Sequence, residues 1–191
     1  MLQKKIQTHC EVIKSLSTDE AKIKSISKKI TDKILKGGKL LFCGNGGSAA
    51  DAQHLAAEFL IRLRPNINRK PIPALTLATD TSTLTACGND YSSDEIFLRT
   101  FLALKKKNDI LFAISTSGKS QNIIKVLKEA KKQKIYSVGL LGKSGGPSKK
   151  ITDDAVVVKS NNTAIIQETH IFLGHYILES VENNLLKKKF I

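Results

Sequence analysis

Leu40-Leu41-Phe42-Cys43-Gly44-Asn45-Gly46-Gly47-Ser48 runs straight into Ala49-Ala50-Asp51-Ala52-Gln53-His54-Leu55-Ala56-Ala57-Glu58. The apolar run predicts a buried strand ending at Gly44, and three glycines let the backbone come close to a ligand. Ser48 is placed to cap the following helix, whose first amides then face an anion. One turn into that helix, His54 and Glu58 stand four residues apart and share a face. A second stretch repeats the device. Asp109-Ile110-Leu111-Phe112-Ala113-Ile114 is another apolar strand, and it leads through Ser115-Thr116-Ser117-Gly118-Lys119-Ser120-Gln121-Asn122 to the helical positions Ile123, Ile124, Val126, Leu127 and Ala130. The four hydroxyls and the helix-start amides suit a phosphate monoester, because each donates a hydrogen bond without adding a negative charge. Neither loop is a nucleotide P-loop, since GxxxxGK[ST] is absent from both.

Outward from these loops the chain alternates short apolar runs with helical patterns. Residues 39–43, 74–78, 109–114, 135–141 and 154–159 read as strands. This βαβ rhythm predicts an α/β fold, a three-layer α/β/α sandwich on a five-stranded parallel sheet. Residues 2–36 precede it as a helical hairpin or bent helix, broken and recapped at Ser17-Thr18-Asp19-Glu20 and closed by Gly37-Gly38. Their apolar faces exceed what one side of the sheet can cover, so residues 1–37 are expected to form an oligomer contact within a single domain spanning 1–191. Pro65–Pro73 is a polar proline-bearing loop and Gly142–Pro147 a second, flexible turn. A last helix, from about Thr163 to Lys188, follows the cap-like Ser160-Asn161-Asn162 and carries Gln167, His170 and His175 among apolar residues.

The 191 residues suffice for one adequate core, at 41% hydrophobic content. A net charge of +14 would ordinarily point to nucleic acid or a membrane surface. Here only Arg62, Arg64, Arg69 and Arg99 are arginines, and the lysines are scattered without aromatic interleaving. A solvated lysine surface that draws in an anionic substrate explains the charge, with no nucleic acid and no membrane as partner. Cys10, Cys43 and Cys87 form no CxxC pair, which argues against a disulfide scaffold or a cysteine zinc site. No apolar run approaches the ~18 residues needed to span a bilayer, and the amino terminus lacks a signal-peptide core. A cytoplasmic protein is expected.

GNGGSAADAQHLAAEF at 44–59, CGND at 87–90, ISTSGKSQN at 114–122 and IIQETHIFLGH at 165–175 together closely resemble the phosphoheptose isomerases of the sugar isomerase (SIS) domain family. The likeness covers nearly the whole chain, with four motifs in order. It implies an aldose–ketose isomerase converting D-sedoheptulose 7-phosphate, a phosphorylated seven-carbon sugar, to D-glycero-D-manno-heptose 7-phosphate. That is the first step towards heptose nucleotides for lipopolysaccharide or capsule. It also implies a homotetramer with active sites between subunits and one zinc ion per subunit. By resemblance the zinc ligands fall on His54, Glu58, Gln167 and His175. Substrate contacts fall on Asn45, Gly46, Gly47 and Ser48, on Glu58, Asn89 and Asp90, on Ser115, Thr116, Ser117 and Ser120, and on Gln167. Some members have an acidic residue three before the glutamine, where this chain has Ala164.

Isomerisation needs a base that moves a proton between neighbouring carbons through an enediol, and an acid or metal that stabilises the oxyanion. Glu58 is the expected base, since a partly desolvated carboxylate can have its pKa raised towards the working pH, and His175 is expected to shuttle the proton between oxygens. A carboxylate that ligates zinc is a weaker base, so Glu58 does not do both at once. Spacing alone leaves alternatives open. His54 and Glu58 also read as an exposed helix pair, and Gln167 could converge with His170 as well as with His175, which on an ideal helix is rotated from it by about 80°. The loops could merely turn and cap, but two of them at the carboxyl ends of parallel strands favour a ligand. Asp90 could cap the helix containing Ile96–Leu104 instead of touching sugar. Lys119 and Arg62 read as solvated. A non-catalytic phosphosugar sensor or replication-initiator-binding scaffold of the same fold is the alternative, and the full set of His54, Glu58, Gln167 and His175 argues against it.

Overall fold

The computed structural model describes residues 1–78 and 80–191. Five strands, β1 (Leu40–Gly44), β2 (Ala74–Thr76), β3 (Ile110–Ser115), β4 (Tyr136–Gly142) and β5 (Asp154–Val158), form one parallel sheet in the order β2-β1-β3-β4-β5. Every residue of β1 and β3 is buried, which is why both read as continuous apolar runs instead of alternating ones. In register, Leu40 pairs with Ile110 and Gly44 with Ile114, so the two glycine- and hydroxyl-bearing loops leave adjacent strands side by side.

Alternation along the strands divides the core into two layers. Leu40, Phe42, Ile110 and Phe112 meet α2 (Glu20–Leu35), α3 (Gly47–Leu60) and α8 (Thr163–Lys187) on one face. Leu41, Cys43, Leu111 and Ala113 meet α5 (Ile96–Leu104) and α6 (Gln121–Lys132) on the other. Phe42 lies 5.1 Å from Phe112 and 6.0 Å from Phe59, ring centre to ring centre, at the heart of the first layer. Each such side chain contributes roughly 1.5–3 kcal/mol on leaving water. Because α3 and α6 depart to opposite faces from neighbouring strands, the crevice between β1 and β3 is the switch point where open α/β sheets take ligands.

The amino-terminal helices behave unequally. Within α2, Ile23, Ile26, Ile30 and Ile34 are buried, whereas α1 (Leu2–Ser15) buries none of its residues and leaves Leu2 and Ile6 exposed. The expected recapping at Ser17–Glu20 does not occur. A 3-10 turn over Leu16–Asp19 joins the helices, Ser17 and Thr18 donate back to Lys14 and Ser15 carbonyls, and Asp19 makes no side-chain cap. An additional helix not read from the sequence, α4 (Thr81–Asp90), is capped by Asp80, whose carboxylate accepts from the Thr83 amide at 2.7 Å. Asp90 therefore ends α4 and does not cap α5, whose N-cap is Glu95. The Gly142–Pro147 segment is also no free turn: it packs on the Gly118 backbone, and Ser148, opening the short α7 (Ser148–Ile151), donates to the Gly118 carbonyl at 2.9 Å.

Candidate active site

The turn after β1 is closed by Gly46, which adopts φ 56° and serves as N-cap of α3. A left-handed residue is needed there, and only glycine adopts it without strain. Ser48 is thus not the cap. It lies buried in the first turn of α3, its amide donating to the Asn45 carbonyl at 3.0 Å. Asn45, Gly46 and Gly47 remain exposed at the edge of the sheet.

The loop after β3 is held by its own hydroxyls. Ser115 Oγ accepts from the Gly118 amide at 3.0 Å and Ser117 Oγ accepts from the Lys119 amide at 3.2 Å. Each hydroxyl proton stays available to a ligand oxygen. Ser120 is the N-cap of α6 without a side-chain cap bond, so it too is uncommitted. The two loops are tied together by Asn45 and Asn122, whose side-chain amides exchange reciprocal hydrogen bonds of 2.9 Å. Asn122 was not singled out as a site residue, although it closes the ISTSGKSQN motif.

On the opposite side of the turn, α3 and α8 lie against each other. A β-carbon on Gly174 would fall 2.5 Å from Leu55 Cδ1, so glycine allows α8 to approach α3 at that level. The next residue, His175, reaches His54 with Nε2 to Nε2 at 2.8 Å, and His54 Nε2 is 3.7 Å from Glu58 Oε1. Two imidazole nitrogens at that distance share one proton, one donating and one accepting. Burial holds His175 below the ordinary imidazole range, helped by the neighbouring His54 and opposed by Glu58. Glu58 Oε2 is buried with no hydrogen-bond partner. Two turns back along α8, the Gln167 amide rests where a Gly47 side chain would stand.

The geometry therefore joins Glu58, His54 and His175 in one cluster, and sets Gln167 against the first turn of α3. Asn89 and Asp90 do not join it through any hydrogen bond among the described residues. They are exposed on the last turn of α4, with Asn89 donating to Asp90 at 2.8 Å. Lys119, Arg62 and Ala164 are exposed. One polar group near the cluster, Asp51, is not marked by the sequence, and His170, which the sequence offers as a partner for Gln167, makes no side-chain hydrogen bond among the described residues. Asp51, one turn before His54, has an unpartnered Oδ2 and is pushed above the usual carboxylate range by burial, with His54 opposing. His170 is fully buried with both ring nitrogens unpartnered. Burial pushes it down to about 4, and the Leu141 backbone, which favours the charged form, offsets this only in part.

Two imidazoles, a carboxylate with an unpaired oxygen and an amide are donors of the kinds that zinc takes, although glutamine is uncommon among them. The His, Cys, Asp and Glu side chains among the described residues do not by themselves converge in threes as a ready-made cation site.

The SIS domain family matches residues 5–142. The chain is 50% identical over 151 residues to the phosphoheptose isomerase of Paramagnetospirillum magneticum, covering 79% of this chain and 78% of that protein. It is 43% identical over 182 residues to that of Campylobacter concisus, covering 95% of each. In structure it superposes on the phosphoheptose isomerase of Neisseria gonorrhoeae with a TM-score of 0.82 at 36% identity, over 96% of this chain and all of that one. With a family match over most of the chain and these identities over most of both proteins, the chain belongs to the SIS domain family and, within it, to the phosphoheptose isomerases.

Proposed function

We propose that the chain interconverts D-sedoheptulose 7-phosphate and D-glycero-D-manno-heptose 7-phosphate, feeding heptose nucleotide synthesis for lipopolysaccharide or capsule. The observation that carries this is the cluster of Glu58, His54 and His175 on α3 and α8, which rises from the same turn that opens the hydroxyl-lined crevice. In this reading the phosphate is held by Ser115, Thr116, Ser117 and Ser120, with Ser48 and the backbone of Asn45, Gly46 and Gly47 beside it. Asn89, Asp90 and Gln167 contact the sugar hydroxyls. Glu58 removes the proton from the carbon beside the carbonyl and returns it to the neighbouring carbon, while His175 passes a proton between the two oxygens. The partly buried Glu58 carboxylate, with one oxygen unpartnered, is free to take that proton. His175, whose imidazole is pushed below its ordinary range by burial, stands beside it against His54.

His54, Gln167 and His175, joined by Glu58 whenever it is not taking the proton, are the residues that would hold one zinc ion per subunit. When bound, zinc supplies a Lewis acid that polarises the substrate carbonyl. The whole chain is read as one SIS unit in a homotetramer with active sites between subunits, and residues 1–37 as its helical oligomerisation element. A helix such as α1, with nothing of its own buried, gains its stability from packing on something else. Among the described residues no helix is long and apolar enough to cross a membrane. With no disulfide among the isolated cysteines, a cytoplasmic enzyme fits.

The test is turnover of sedoheptulose 7-phosphate by metal-loaded and chelated enzyme, with sedimentation run in parallel. Formation of the aldose heptose phosphate, lost on chelation, and a mass four times the 20.9 kDa of the chain are expected. No conversion under either condition overturns the isomerase, full activity after chelation overturns the zinc, and a monomer overturns the tetramer.

A further inference from the structure

We propose that Arg69 and Glu182 are positioning residues for Glu58: a buried ion pair that fixes the catalytic turn of α3 against α8. This rests on the assignment of Glu58 as the base. Glu182 lies on α8 with its side chain wholly buried, and Arg69, from the loop after α3, is equally enclosed. The Arg69 Nε donates to Glu182 Oε1, and the guanidinium then turns to the end of α3. Its Nη2 donates to the Glu58 carbonyl at 2.8 Å, and its Nη1 to the Phe59 carbonyl at 3.0 Å and the Lys70 carbonyl at 3.0 Å. The second carboxylate oxygen, Oε2, accepts from Arg64 Nε at 2.7 Å, and Arg64 goes on to Asn183 at 2.6 Å and Glu179 at 3.3 Å.

Two of the three carbonyls that Arg69 takes, those of Glu58 and Phe59, belong to the last turn of α3, where a helix leaves its final C=O groups without intrahelical partners and where a cation meets the negative end of the helix. One of them is the peptide oxygen of Glu58 itself. The Glu58 side chain has little else to orient it, since Oε2 has no partner and Oε1 stands 3.7 Å from His54. Its direction is therefore set by the backbone turn that Arg69 grips. On α8, Glu182 lies seven residues beyond His175, two turns of helix, and so on the same face. The two helices are thus pinned at two levels: His54 to His175, and the Glu58–Phe59 turn through Arg69 to Glu182.

Stability alone does not account for such a pair. Desolvating two charges costs as much as their attraction returns, and apolar replacements of similar volume are often neutral or stabilising. What the planar fork adds is direction, because it serves a carboxylate and three carbonyls at once in a way an ammonium cannot. Misplacing a catalytic group by about 1 Å can cost about 100-fold in rate.

The experiment compares Arg69→Met/Glu182→Leu, which removes both charges and leaves neither buried alone, with Arg69→Lys, which keeps the charge without the fork. Glu58→Gln is the control, and kcat, KM for sedoheptulose 7-phosphate and melting temperature are measured for each. The double variant is expected to melt within a few degrees of the parent, with kcat lowered about 10- to 100-fold and KM within twofold, because the phosphate loops are untouched. Arg69→Lys is expected to show a similar loss in kcat and no rescue. Parental kcat in a folded double variant, or full rescue by lysine, overturns the proposal. So does a fall in kcat that tracks a fall in melting temperature across all the variants. Parental turnover in Glu58→Gln overturns instead the assignment of the base on which it rests.

Discussion

The helix pair α3–α8 and the loop between β3 and α6 flank the same crevice, yet they are built from opposite materials. The helix pair presents ionisable side chains, Glu58 and His175 partly buried and His54 exposed, on helices held by close packing at Gly174 and Leu55. The loop presents neutral hydroxyls and amides, and Ser115 and Ser117 spend their acceptor capacity on the loop's own backbone. A proton carrier must have a tunable pKa, so it belongs where burial and neighbouring charges act on it. A phosphate anchor must hold the same anion throughout the reaction, so fixed dipoles serve it better than groups that titrate. The division predicts that damage on the helix side shows in kcat and damage on the loop side in KM.

The largest effect expected is from Glu58→Gln and His175→Ala, each lowering kcat by about 10²–10⁴-fold with KM nearly unchanged. Steady-state kinetics decide it, and a variant that raised KM alone would break the division. Next comes a pH effect confined to the helix side. His170 is pushed from 6.5 down to about 4 in the folded chain, so the unfolded chain binds its proton first, and stability is lost as pH falls from about 6.5 towards 4. The full loss is about 3 kcal/mol, from 1.36 kcal/mol per pK unit. Urea unfolding at pH 7 and pH 4.5 should show His170→Leu losing less stability than the parent, and equal losses would remove His170 as the cause. The smallest effect is Ser117→Ala, which should raise KM about tenfold, as expected for one hydrogen bond to a charged group, and leave kcat within about twofold. A fall in kcat alone would place Ser117 with the chemistry.

The two sides also differed in how far the sequence revealed them. The strands were legible to within two residues, because a strand buried on both faces leaves an unbroken apolar run, as Leu40–Cys43 and Ile110–Ile114 do. The loops were legible as glycine and hydroxyl turns, a composition that equally suits turning and capping, and it is their position at the ends of adjacent parallel strands that favours a ligand. The cap position was misread because Ser48 has the chemistry of an N-cap, whereas the turn is closed by the backbone of Gly46 at φ 56°. Helix α4 left little trace, as Cys87 is its one buried residue and no apolar period forms. The helix cluster depends on pairs far apart in sequence, 121 residues between His54 and His175 and 113 between Arg69 and Glu182, and only the resemblance brought the first pair into view. Nothing in a local window marks Arg69 or Glu182 as buried, because a charged residue in a polar loop or on a long helix ordinarily reads as solvated.

The order of the elements along the chain has a consequence for synthesis. Both loops of the crevice follow strands made before residue 116, and all five strands precede α8, which brings Gln167, His175 and Glu182. Domains fold as units, and α8 supplies Ile166, Leu173, Ile177, Leu178, Val181 and Leu185 to the core layer that also holds Phe42 and Phe112. A chain halted on the ribosome before α8 emerges therefore lacks one wall of its core together with His175, so the fold and the candidate cluster are completed in a single step by the last helix.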